Sequence, residues 1–208
     1  SIRSHIISWV RPDGTYAARK LEAFSDQGAY ASHGHSIVAK GAGAFPQLYP
    51  CDNVEVDAYT IFTNKSVAGA MRGYGIPQAM WAVECHTEDV AAKMGMDPVA
   101  FRRKNVMPVG FVDAFSKNEL YHDSFNQCLD KAMDAIDYER KFKEYQKQTG
   151  DVRRGIGVAV FWYNTAVWPI SLETSSCRMV LNQDGSLQVQ LGETEIGQGA
   201  DTAYAQMT

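Results

Sequence analysis

The chain has 208 residues and 45% hydrophobic content, ordinary for a globular protein and enough for one large domain or two small ones. Its 20 basic and 24 acidic residues leave a net charge of -4, which argues against a nucleic-acid backbone as the main partner. No apolar run approaches the ~20 residues that cross a bilayer, and the first ten residues lack the zones of a signal peptide, so no membrane partner and a soluble, cytoplasmic protein are expected.

In chain order, residues 6–9 and 16–29 flank Pro12-Asp13-Gly14 and predict a β-hairpin, because Pro presets the first turn position and Gly accepts the positive φ that follows. The Gly/Ala/Ser-rich stretch 28–43 predicts loop with at most a short helix. Residues 53–63 alternate Val54, Val56, Ala58 and Thr60 against Glu55, Asp57 and Tyr59, the period of a strand with one buried face. After Gly73-Tyr74-Gly75, Pro77 suits a first helical turn, and Met80, Val83, Val90 and Met94 recur near helical spacing until Gly95.

Asp97-Pro98 opens a short helix running to about Lys104. Residues 107–121 have little periodicity and mark a boundary between two structural units. Ser124 is the expected cap of a further helix with Phe125, Leu129, Met133 and Ile136 on one face, continued by a charged, solvated stretch to Lys147. Residues 155–163, 171–181 and 187–191 read as strands, the last two joined across Asp184-Gly185. The composite is α+β, mixed sheets with packed helices and no doubly wound alternation. The chain opens in mid-strand and stops in a helix without a stop signal, which suggests an internal fragment.

Four cysteines form no C-x-x-C pair and are expected to be reduced thiols. His33 and His35 form an H-x-H pair, and Glu84 and His86 lie close together on the long helix. A zinc site needs three or four ligands, and no such set is suggested by spacing, so ordinary hydrogen-bonded histidines are the expectation.

Two segments carry chemistry. In residues 69–79 the glycines around Tyr74 let backbone approach a ligand, and free amides of the turn can face an electron-rich group; a tight strand-to-helix connection is the simpler alternative. In residues 192–201, Gly197 and Gly199 bracket Gln198, whose amide offers a donor and an acceptor to a polar ligand; a solvated turn is the alternative. Neither segment fits the common nucleotide-phosphate loops.

The order and spacing of these two segments, with residues 26–35, 97–105 and the Asp184-Gly185 hairpin, resemble the molybdopterin-binding subunit of the xanthine dehydrogenase and aldehyde oxidase family. The resemblance covers almost the whole chain and is most diagnostic over residues 69–105. It implies a fold belonging to the molybdenum-cofactor-binding domains: residues 1–106 the end of a first such domain, 107–123 a connecting segment and 124–208 the start of a second. The implied cofactor is molybdenum-molybdopterin, with the cytosine dinucleotide form left open, and the implied partners carry iron-sulfur clusters and FAD. A homo-oligomeric full enzyme is expected as well.

Residue by residue, Arg72 matches a position whose backbone amide lies near the metal's apical oxygen without being a ligand. Gly73 shares that cofactor-binding turn. Tyr74 matches an aromatic that stacks on a planar heterocycle, which favours purines and related rings. Gln198, with Gly197 and Gly199 giving it room, matches a residue that hydrogen-bonds the pterin. A second aromatic wall falls near Trp168. Lys40 stands where animal members carry a substrate-orienting arginine, a departure that touches purine specificity.

The family's catalytic glutamate lies beyond Thr208 and its earlier Gly-Gln motif before Ser1, so no catalytic residue is expected in this stretch. The implied activity is hydroxylation of a carbon in a purine or other N-heterocycle with oxygen from water. Aldehyde oxidation by the same family, a non-catalytic ligand-binding module and a scaffold docking through residues 124–147 are the alternatives.

Overall fold

Alternation of half-buried and exposed residues along Ile2–Val10 lays strand β1 antiparallel against β2, Tyr16–Gly28, across the predicted Pro12-Asp13-Gly14 turn. Gly14 adopts φ 88°, and the loop closes through Arg11 N–H donating to Thr15 O at 2.8 Å. The computed structural model describes residues 1–114, 117–163 and 174–208. They fall into two compact units, Ser1–Tyr163 and Asn164–Thr208.

Strand β3, Asn53–Phe62, pairs with β2 in parallel, so the sheet order is β1-β2-β3 and the sheet is mixed. Parallel neighbours need a crossover, and it comes from α1, Gly34–Gly43, within the stretch expected to be mainly loop, followed by α2, Phe45–Leu48. Glycine inside a helix costs about 1 kcal/mol relative to alanine. Burial offsets that here, since Val38 and Ala42 enter the core alongside Phe45, Leu48 and Tyr49. Tertiary packing therefore overrides a propensity that pointed to loop.

The long helix α3 covers Ile76–Lys93 and α4 covers Pro98–Asn105. Asp97 caps α4 as expected, accepting from the amides of Val99 and Ala100 at 2.9 Å each. The two helices are tied by a buried ion pair, Arg102 Nε donating to Glu84 at 2.9 Å, while Arg102 Nη1 reaches Glu88 at 2.8 Å. Burial opposes the Arg102 charge; Glu84, Tyr49 and Glu88 more than offset it and raise its pKa. Glu84 also accepts from the Tyr49 hydroxyl and from Val160 N–H. A second buried guanidinium, Arg19, donates to the carbonyls of Phe45 and Tyr49 and lies 4.0 Å from the Phe45 ring centre. Its desolvation lowers its pKa.

Helix α5, Ser124–Ile136, is capped by Asp123, which accepts from Asn126 N–H at 3.1 Å, so the expected cap at Ser124 moves back by one residue. A break at Asp137, φ 52°, leads into α6, Tyr138–Tyr145. Residues 155–163 form no strand among the described residues. Ile156, Val158, Val160 and Trp162 nonetheless alternate inward against the two apolar clusters. Alternation of faces alone does not make the expected strand, which also needs a ladder partner.

The second unit contains β4, Cys177–Leu181, paired antiparallel with β5, Leu187–Leu191, across a turn with Gly185 at φ 83°, then α7, Ala200–Met207. The predicted strand 171–181 is observed from Cys177 onward, and 171–173 lie outside the described residues. Among the described residues no helix is long and apolar enough to cross a membrane.

Candidate functional site

The route into the first bend is pinned before the bend begins. After β3, the chain folds back on the end of β2: Thr63 N–H donates to Gly28 O, Ala29 N–H to Lys65 O, and Ala68 N–H to Gln27 O at 2.7 Å. A Cβ on Gly28, φ 81°, would stand 2.1 Å from the Ser66 carbonyl oxygen, so only glycine fits this crossing. Asp26 accepts from Lys65 Nζ at 2.6 Å and from the Thr63 hydroxyl, and these bonds hold its carboxyl down at about 2.

The bend itself has three consecutive left-handed residues, Gly73 at φ 102°, Tyr74 at 47° and Gly75 at 89°. For Tyr74 that region costs on the order of 1–2 kcal/mol and persists only where surroundings over-determine it. They do so here. Gly75 is the N-cap of α3, and a Cβ on it would lie 2.2 Å from the Ile37 carbonyl oxygen of α1. A Cβ on Gly41, one turn further along α1, would lie 2.7 Å from the Gly75 carbonyl.

Inside the bend, Tyr74 N–H donates to Met71 O at 2.8 Å and Ile76 N–H to Gly73 O at 3.0 Å. The expectation of free turn amides is corrected at these two positions, because the left-handed run folds them back on the turn. Tyr74 is half-buried, and its hydroxyl lies 2.7 Å from His33 Nδ1. Lys40, on α1, has its ammonium 5.8 Å from the centre of the Tyr163 ring. Trp168 lies outside the described residues.

The second bend, in the other unit, is organised by a residue that sequence reasoning passed over. The Glu195 carboxylate accepts from the amides of Gly197, Gly199 and Asp201, and so occupies the N-terminus of α7. Desolvation pushes its pKa up, but the bonds from Gly199, Gly197, Asp201 and Ala200 together outweigh that and lower it. Gln198, expected to point its amide at a ligand, folds back: Oε1 accepts from Ile196 N–H at 2.6 Å and Nε2 donates to Thr194 O at 2.9 Å. A carboxamide has two donors and two acceptor sites, so Gln198 keeps one of each for a ligand. The missed signal was the carboxylate itself, two residues before Gly197 and at the mouth of a helix, where anions are favoured.

Of the other tempting residues, His86 Nε2 meets Ser8 Oγ at 2.9 Å while Glu84 is committed to Tyr49 and Arg102. Among the described residues no group of three or more His, Cys, Asp or Glu side chains could hold a metal ion. A cavity of about 490 Å³ lies at Arg11, Cys51, Arg103, Lys104 and Asn126, and its lining includes no residue of either bend.

Residues 5–106 match a family model described as a molybdopterin cofactor-binding domain, and residues 131–208 match a second model of the same description. The chain belongs to the molybdopterin-binding xanthine dehydrogenase and aldehyde oxidase family. It is 42% identical over 198 residues to the xanthine dehydrogenase molybdenum-binding subunit of Escherichia coli O157:H7, covering 95% of this chain and 26% of that protein. To the aldehyde oxidoreductase of Megalodesulfovibrio gigas it is 29% identical over 194 residues, covering 92% of this chain and 21% of the relative. The crystal structure of the aldehyde oxidoreductase from Desulfovibrio desulfuricans superposes with a TM-score of 0.77 at 26% identity, over 90% of this chain and 20% of that one. The chain thus spans about a quarter of the length of the curated relative from Escherichia coli.

At the second bend the spare donor and acceptor of the Gln198 carboxamide, beside glycines that permit close approach, suit an organic pterin rather than a bare cation.

Proposed function

We propose that this chain is the cofactor-facing portion of a molybdenum hydroxylase that hydroxylates a carbon of a purine or related N-heterocycle with oxygen from water. When bound, the molybdenum-molybdopterin supplies the oxidising centre and the activated oxygen. This chain's residues bind and orient. Arg72 and Gly73 would hold the cofactor through main chain at the first bend. Gly197, Gln198 and Gly199 offer the spare donor and acceptor of the carboxamide to the pterin. Tyr74 presents a ring face for stacking, with Lys40 and Trp168 as further substrate-side groups.

The observation that carries this reading is the left-handed run at Gly73, Tyr74 and Gly75, locked by α1 so tightly that neither Gly41 nor Gly75 has room for a Cβ. A merely connecting turn needs no such fixation of an aromatic at a costly φ. The two-domain division, residues 1–106 and 124–208 around the connecting segment 107–123, belongs to the same proposal. So do iron-sulfur and FAD partners for electron removal, a homo-oligomeric full enzyme and a cytoplasmic location. Turnover is assigned to the full enzyme.

Oxidation of aldehydes is the second reading, favoured by the structural likeness to an aldehyde oxidoreductase. Metal analysis with parallel xanthine and aldehyde assays on the full-length subunit, purified with its electron-transfer partners, decides between them. Molybdenum with xanthine turnover supports the first reading; molybdenum with aldehyde turnover alone supports the second. Active protein without molybdenum overturns both.

A further inference from the structure

We infer that His33 is a positioning residue for Tyr74, and that the two side chains form one polar-aromatic edge that orients the N-heterocycle; this rests on the function proposed above. His33 Nδ1 stands 2.7 Å from the Tyr74 hydroxyl, with the rings nearly perpendicular at 83° and centres 6.1 Å apart. The Tyr74 ring is thereby tethered at both ends, by the left-handed backbone at its root and by the imidazole at its tip. A phenol on a turn without that second tether retains rotamer freedom that substrate would have to remove on binding.

The placement of His33 follows from the packing that fixes the bend. His33 directly precedes α1, and Ile37 N–H donates to its carbonyl at 3.0 Å, which joins it to the first helical turn. Ile37 and Gly41 of the same helix are the residues whose backbone meets Gly75 too closely for a Cβ. Positions 33, 37 and 41 recur every four residues and share one helix face. The face that locks the turn therefore also carries the imidazole to the phenol.

The chemistry favours a polar ring as ligand. A phenol has one hydrogen and two lone pairs, and an imidazole can donate or accept. When the phenol hydrogen goes to His33, its oxygen is left to accept from a ring N–H. When the imidazole donates, the phenol hydrogen is left for a ring carbonyl. An N-heterocycle carrying both N–H and C=O groups matches either arrangement, whereas an aliphatic aldehyde uses neither the ring face nor the N–H acceptor.

The test uses the full enzyme with its partners, the heterocycle it turns over best and the hydroxylated product of that heterocycle as an unreactive binding probe. Variants are His33→Ala, His33→Gln, Tyr74→Phe, the double variant His33→Ala with Tyr74→Phe, and Tyr74→Ala. Calorimetric Kd, kcat, KM and molybdenum content are measured for each. His33→Ala is expected to weaken probe binding about fivefold, the worth of one hydrogen bond, Tyr74→Phe at least as much, and both to raise KM with molybdenum content unchanged. The double variant is expected to lose no more than Tyr74→Phe alone, because His33 acts only through the phenol hydroxyl, and His33→Gln is expected to recover part of the affinity. Losses that multiply in the double variant, or an unaffected His33→Ala beside a crippled Tyr74→Ala, overturn the role of His33 and leave the proposed function standing. Unchanged probe binding in Tyr74→Ala instead overturns the stacking reading itself.

Discussion

The two bends solve the same problem, holding glycine-flanked backbone in left-handed conformations, by opposite means. At Gly73 to Gly75 the restraint comes from afar: the Ile37 carbonyl and Gly41 of α1 press on it, and α3 behind it is tied to α4 through Glu84 and Arg102. At Gly197 to Gly199 the restraint is local, with Glu195 and Gln198 bonding amides and a carbonyl within six residues. The lesson is that the first bend is sensitive to substitutions dozens of residues away, and the second to its own few side chains and to the protonation of one carboxylate.

The largest effect should come from the support behind the first bend. Arg102→Met would leave Glu84 buried without its cation, and loss of one partner from a buried pair costs about 3–5 kcal/mol; a lowered midpoint in denaturant unfolding of the full chain checks it. Next comes the bend itself. Gly75→Ala places a Cβ 2.2 Å from a backbone oxygen at φ 89°, and about 2–4 kcal/mol of destabilisation is expected from strain and overpacking together.

Gly41→Ala sharpens the contrast, because an isolated helix would gain about 1 kcal/mol from it. Here the added methyl meets the Gly75 carbonyl at 2.7 Å, so stability should fall, and an unchanged or raised unfolding midpoint would show that α1 does not press on the bend. By comparison, Gly199→Ala meets nothing within 4 Å and retains only the left-handed penalty at φ 83°, about 1–2 kcal/mol.

The smallest and most local effect concerns acid. Glu195 has its pKa held below the ordinary 4.5 by the amides it accepts from, so its contribution is present above pH 4.5 and is lost as pH falls through the depressed value. Hydrogen exchange at Gly197, Gly199 and Asp201 should accelerate over that acid window and in Glu195→Gln at neutral pH. The amides of Tyr74 and Ile76, bonded to carbonyls, should show no matching local acceleration.

Much of the architecture was legible because it depends on neighbours in sequence. The Gly14 and Gly185 turns, the Asp97 cap and the apolar spacing of α3 are short-range features, and each sits where its residues placed it. Both candidate bends were legible as glycine patterns. What could not be read was who holds them: the contact between His33 and Tyr74 spans 41 positions, and the role of Glu195 was hidden because Gln198 looked like the polar group of that turn. Helix α1 escaped for a related reason, since its glycines read as flexible chain until Val38 and Ala42 are seen in the core.

By itself, the sequence determined the local grammar of this protein: where the chain turns, which helices are capped, which faces are apolar, and which two glycine segments mark it as a member of its family. These follow from backbone sterics and side-chain spacing over a few residues. Tertiary structure alone decided that a glycine-rich stretch becomes a helix, that β3 runs parallel to β2, that residues 155–163 stay unpaired among the described residues, and that an aromatic is locked at a positive φ beside an imidazole. Each of those outcomes depends on burial and on contacts between distant segments, whose energies exceed the local preferences they override.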